Sequence, residues 1–138
     1  FAEIVCEYTG IVEKKIQEAG VLAEKLKNAA LSFVLCHTDI HPGNVMRDPD
    51  GKLYLVDWEN VQLAPKEADL YSFAEKEDLA HLAENTDETA MLYYTVRRDL
   101  EDIYEFLRSV LNHEFSAAEE DEVYGHVCRI LVHLANTK

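Results

Sequence analysis

Apolar side chains open this chain at close to helical spacing: Ile4, Val5, Tyr8, Ile11, Val12, Ile16, Val21, Leu22 and Leu26. A period near 3.6 residues predicts an amphipathic helix from Ala2 to Ala29, with Gly10 and Gly20 as candidate breaks. The pattern then changes. Leu31 to Cys36 is a compact β-branched and aromatic run that reads as a strand. Val45-Met46-Arg47 and Leu53 to Val56 flank Asp48-Pro49-Asp50-Gly51. Pro presets φ, Asp tolerates turn geometry and Gly takes positive φ, so the segment predicts a β-hairpin. Beyond it, helical periodicity returns and persists. Pro65 suits the first turn of a helix running to about Ala83. Thr86 is a candidate N-cap for a helix over Asp87 to Leu111. Ser116 with Glu119 forms a capping box for a last helix reaching about Ala135. The fold class expected is mainly α with a small β-hairpin, an α+β arrangement.

Between the predicted strand and hairpin lies His37-Thr38-Asp39-Ile40-His41-Pro42-Gly43-Asn44, and the hairpin leads into Val56-Asp57-Trp58-Glu59. Phosphoryl transfer needs little covalent chemistry from a protein. It needs a carboxylate to orient a hydroxyl, oxygen ligands for magnesium, and their positioning. The spacing His-x-Asp-x-x-x-x-Asn supplies an acid and an amide ligand, and the gap from Asn44 to Asp57 fits a hairpin that returns a second carboxylate. Asp39 is thus the candidate catalytic residue, with Asn44 and Asp57 as candidate ligands of Mg2+ and, through it, of the nucleotide phosphates. Asp57 follows an apolar strand, which limits its freedom. Pro42-Gly43 bends the chain so that Asn44 returns towards the metal.

These motifs resemble the aminoglycoside phosphotransferase and choline kinase family, whose fold is protein-kinase-like. The resembling segments are His37 to Asn44, Leu55-Val-Asp57-Trp-Glu59, and Ala64-Pro-Lys-Glu-Ala-Asp69-Leu70. Trp58-Glu59 and the Ala-Pro-Lys-Glu-x-Asp-Leu run look most like the spectinomycin-type branch, as do Tyr93-Tyr94, Arg97, Asp102 and Ile103. The resemblance covers Leu35 to about Phe73, with a weaker echo from Met91 to Leu107. It implies ATP, or GTP, as phosphoryl donor and a hydroxyl of a small molecule as acceptor. It also implies that His37 braces the catalytic loop and that Asp69 supports it from the next helix. Glu59 is a candidate contact to substrate or a second magnesium. Asp99, Asp102 and Glu105, on a helix that walls the family's substrate pocket, are candidates to hold an acceptor's ammonium groups, although such a run also makes an ordinary solvated face. Asp57-Trp58-Glu59 replaces the Asp-Phe-Gly of protein kinases, which disfavours protein substrates.

No Gly-rich loop and no lysine-bearing strand precede the catalytic loop. Residues 1-138 are therefore expected to be the C-terminal lobe of a longer enzyme, without the N-terminal nucleotide-binding lobe and inactive in isolation. A net charge of -14 disfavours nucleic acid and is in keeping with a cationic acceptor, although acidic surfaces also serve solubility alone. No apolar run approaches a membrane span, and no signal peptide is evident. Cys6, Cys36 and Cys128 are odd in number and widely spaced, which favours reduced thiols and a cytoplasmic setting. Two rival readings remain. One is a metal-dependent hydrolase with His37, Asp39 and His41 as ligands; the other is a non-catalytic helical binding module. The sequence leaves the acceptor and the oligomeric state open.

Overall fold

The computed structural model describes residues 2–74, 76–112 and 116–137. Helices dominate, as expected. They are α1 (Ala2–Lys27), a one-turn α2 (Glu67–Leu70), α3 (Glu88–Leu111) and α4 (Ala117–Asn136). Four short strands are β1 (Phe33–Cys36), β2 (Val45–Arg47), β3 (Leu53–Leu55) and β4 (Gln62–Pro65). The chain forms two compact units. One contains residues up to Lys27 together with those from Leu92 onward, and the other is the continuous stretch Asn28–Met91.

The helical unit is organised by period. Val96 and Ile103 on α3 are buried, as are Val123, Val127, Ile130, Leu131 and Leu134 on α4. Tyr8, Val12 and Ala19 of α1 pack on this cluster. Gly10 and Gly20 do not break α1, contrary to expectation. A single helical glycine costs about 1 kcal/mol, which the buried face of α1 offsets. Lys15 on α1 is buried and donates to the carbonyl of Thr137 just beyond α4 (2.6 Å) while pairing with Glu18 (2.7 Å). Ser116 caps α4 as predicted, its N–H and hydroxyl both donating to the Glu119 carboxylate at 2.8 and 2.6 Å.

The second unit carries the β structure. The hairpin forms in the expected place, with Val45 opposite Leu55, Met46 opposite Tyr54 and Arg47 opposite Leu53. Gly51 sits at φ +86°, and the Asp48 carboxylate closes the turn by accepting from Lys52 N–H at 2.8 Å. A second antiparallel pair was not foreseen. β1 pairs with β4, placing Phe33 opposite Pro65 and Leu35 opposite Leu63. Pro65 therefore ends a strand rather than opening a helix. The helix expected from Pro65 to about Ala83 is replaced by α2 and by 3-10 turns at Tyr71–Phe73 and Ala80–Ala83. Its carboxylates explain part of this, because they serve backbone amides elsewhere in the unit. Glu67 is buried and accepts from Asp87 N–H (2.9 Å), and Asp69 accepts from the loop after β1. The cap of α3 is Asp87 rather than Thr86: its Oδ1 accepts from Ala90 N–H at 2.8 Å, whereas the Thr86 hydroxyl donates back to Ala83.

Candidate active site

The site lies within the continuous unit and is built from two loops, one after β1 and one after β3. β1 ends at Cys36, which is fully buried and whose thiol burial pushes up to about 11, with the Asp69 charge adding to the shift. The thiol is thus protonated at neutral pH and serves packing. His37, also buried, begins the first loop. Its Nδ1 accepts from the Asp39 N–H (3.3 Å), so Nε2 carries the proton and donates to the Val56 carbonyl at 2.7 Å. One neutral ring thereby ties the Asp39 backbone to the residue before Asp57.

Asp69 fixes the entry to this loop. Its Oδ2 accepts from His37 N–H at 3.0 Å and its Oδ1 from Thr38 N–H at 2.6 Å. To present two successive amides to one carboxylate, Thr38 adopts φ +68°. For a β-branched residue that left-handed geometry costs on the order of 1–2 kcal/mol, which charge-assisted hydrogen bonds can offset. Farther along, the His41 ring accepts from Gly43 N–H (3.1 Å), shaping the 3-10 turn Pro42–Asn44. Asn44 is buried, and its Nδ2 donates to the Asp39 carbonyl (2.9 Å) and to Asp39 Oδ2 (3.3 Å). His41 Nε2 lies 3.6 Å from the same Oδ2.

The second loop is stitched to the first. Val56 N–H donates to the Asn44 carbonyl at 2.9 Å, and the Thr38 hydroxyl donates to the Asn60 carbonyl at 3.0 Å. Asp57 follows directly, at φ +66° and exposed to solvent. Trp58 rests edge-on against the His37 ring (centroids 4.9 Å apart) and donates its indole N–H to Leu55 (2.8 Å). Asp39, Asn44 and the Asp57-bearing loop are therefore held in one hydrogen-bonded frame.

Residues 12–110 match the model of the phosphotransferase enzyme family. The chain belongs to that family. Among solved structures, this phosphotransferase-family chain resembles spectinomycin phosphotransferase APH(9)-Ia in complex with ADP and spectinomycin, with a TM-score of 0.75 and 23% identity over 98% of this chain and 47% of that one. The AMP-bound complex of the same enzyme gives 0.72 and 24%, over 96% and 46%. Choline kinase LicA from Streptococcus pneumoniae gives 0.54 and 20%, over 95% and 54%. These likenesses establish the kinase-like fold, and the chain spans about half the length of the structures it matches. No curated protein sequence matches it.

The remaining sequence candidates of the phosphotransferase-family chain fall elsewhere. Glu59 is exposed in the second loop. Asp99, Asp102 and Glu105 lie on α3 in the helical unit, each beside a basic partner: His133 at 2.7 Å, Arg98 at 3.0 Å and Arg108 at 2.7 Å, respectively. The hydrolase ligand set is disfavoured, since both ring nitrogens of His37 are committed to the protein. Among the described residues no three His, Cys, Asp or Glu side chains converge to hold an ion. Sequence reasoning missed Thr38 and Glu67. A carboxylate two residues after Pro65 was the available sequence signal for Glu67, whereas nothing in the identity of Thr38 announces positive φ.

Proposed function

We propose that this chain is the catalytic-loop lobe of an enzyme that transfers the γ-phosphoryl group of ATP or GTP to a hydroxyl of a small, cationic molecule. The observation that carries the reading is the interlocked frame: one neutral imidazole and one buried amide join Asp39, Asn44 and the Asp57 loop. Asp39 accepts a hydrogen bond from the acceptor hydroxyl and aligns it for attack. Asn44 turns its amide nitrogen towards Asp39, which leaves the amide oxygen as the donor it can offer a cation. With the exposed Asp57 carboxylate it makes a set of hard oxygen ligands that fits Mg2+, an ion that takes one or two protein oxygens and completes its shell with phosphates and water. When bound, the ion would neutralise charge developing on the phosphates. His37 and Asp69 keep the frame in register without touching substrate.

Two observations support the lobe reading. The structures matched are about twice as long as this chain. In addition, Phe33, Leu35 and Leu63 form an apolar cluster on one face of the β1–β4 pair at 63%, 64% and 69% exposure, more than an isolated domain ordinarily leaves open. The net charge of -14 favours a cationic acceptor, as does the spectinomycin bound in one matched structure. Since Asp99, Asp102 and Glu105 already have basic partners, Glu59 is the acidic candidate with the greater freedom to meet an ammonium group. No helix among the described residues is long and apolar enough to cross a membrane.

The test is ATP consumption by the longer protein that contains this lobe, with Mg2+, against aminoglycosides, spectinomycin, choline and simple sugars. Turnover with one acceptor, reduced by roughly 10²–10⁴-fold in Asp39→Asn, is the expected result. Absence of turnover with every acceptor, together with no nucleotide binding, would leave the helical binding module as the reading.

A further inference from the structure

The stitches between the two loops are not equivalent. His37 and Val56 join them at their roots, next to the strands. Beyond Asp57 the loops are tied by the hydrogen bond from Thr38 Oγ1 to the Asn60 carbonyl at 3.0 Å. Thr38 can make it because of its unusual backbone. With φ at +68°, held by the Asp69 carboxylate, its side chain leaves the first loop on the side of the second. Asp57 too has positive φ (+66°), so its loop is bent sharply where the candidate ligand stands. A bend of that kind persists only where the surroundings over-determine it.

We propose that Thr38 is a positioning residue: its hydroxyl pins Asn60 and so holds the loop carrying Asp57 in its ligating conformation. This rests on the phosphotransferase reading for its consequence, since positioning matters through the cation Asp57 would help to hold. It does not rest on that reading for its mechanism. A hydroxyl is required, whereas the methyl is not. Serine should therefore substitute, whereas valine, equal in shape and equally strained, should not. Glycine separates the two contributions, because it adopts positive φ without cost yet offers no hydroxyl.

Trp58, the one tryptophan of the chain, lies between Asp57 and Asn60 and reports on this loop. The experiment compares this chain with its Thr38→Val, Thr38→Ser and Thr38→Gly variants. Acrylamide quenching of Trp58 is measured without ligand, followed by MgCl2 titration of the same signal. Thr38→Val and Thr38→Gly are expected to quench more readily and to bind Mg2+ roughly tenfold more weakly, the scale seen when a partner that orients a ligand is lost. Thr38→Ser is expected to match the parent in both. Parent-like quenching in the valine and glycine variants would overturn the proposal. Should valine prevent folding, glycine decides, since it relieves the backbone cost while lacking the hydroxyl. If no form binds Mg2+ in the absence of nucleotide, quenching alone decides for or against the brace, and the phosphotransferase reading is decided separately by turnover of the longer protein.

Discussion

Replacing Asp69 by asparagine tests how the loop after β1 is held. The carboxylate accepts from two successive amides, His37 N–H at 3.0 Å and Thr38 N–H at 2.6 Å. Hydrogen bonds to a charged group contribute about 1.5–3 kcal/mol each, and asparagine keeps only one acceptor while turning an NH2 towards the other donor. Losing one bond and weakening the second should cost roughly 2–4 kcal/mol. At a urea dependence of about 2 kcal/mol per molar, the unfolding midpoint falls by about 1–2 M. Trp58 fluorescence is the probe, because the indole contacts His37 next to the clamp. A second variant checks the cause. Without the full clamp, Thr38 at φ +68° is uncompensated, so Thr38→Gly in the Asp69→Asn background should recover about 1 kcal/mol. A midpoint shift under ~0.3 M for Asp69→Asn would refute the reasoning, because the clamp would then contribute no more than an ordinary surface contact.

Three further outcomes are expected. Cys36 should resist iodoacetamide at pH 8 in the native chain and react after unfolding, read by mass spectrometry of its peptide. Because burial raises its folded value from 9.0 to about 11, stability should decline as pH rises through that window, a slope that Cys36→Ala removes in urea titrations. Glu119 has its carboxyl lowered by hydrogen bonds from Ser116. Its contribution to α4 is therefore present above the ordinary glutamate range and lost as pH falls through the lowered value, and Glu119→Gln should flatten that acid dependence of helicity by circular dichroism. Leu134→Ala, at a fully buried position in the helical core, should cost about 2–5 kcal/mol, visible as a lower thermal midpoint.

The features legible in the sequence were those set by local chemistry. Asp48-Pro49-Asp50-Gly51 carries its turn in its own residues, and the hairpin formed with the expected strands. Ser116 and Glu119 likewise made their cap without help from elsewhere. The loop motif picked out Asp39, Asn44 and Asp57, and the structure holds their loops in one frame. What escaped was set by distant partners. Gln62-Leu-Ala-Pro65 has no strand-like alternation and becomes a strand because β1 pairs with it. Residues 65–83 have helical spacing, yet Glu67 and Asp69 are committed to amides of other segments and only one α turn survives. Thr86 and Asp87 are both competent caps, and the choice between them depends on a Glu67 carboxylate twenty residues earlier.

The discontinuity of the helical unit has a consequence for the order of synthesis. α1 is made before the segments it packs with: α4, most of α3, and the Thr137 carbonyl that Lys15 grips lie beyond the stretch Asn28–Met91. At about 5–20 residues per second, α1 waits several seconds on the ribosome with its apolar face uncovered. The inserted unit is continuous and needs nothing from later in the chain to complete its hydrogen-bonded frame. Asp39, Asn44 and Asp57 are thus expected to reach their places while α1 still lacks α4 and most of α3. In a released fragment ending at Met91, Trp58 should already show native emission, and α1 should still be open to protease.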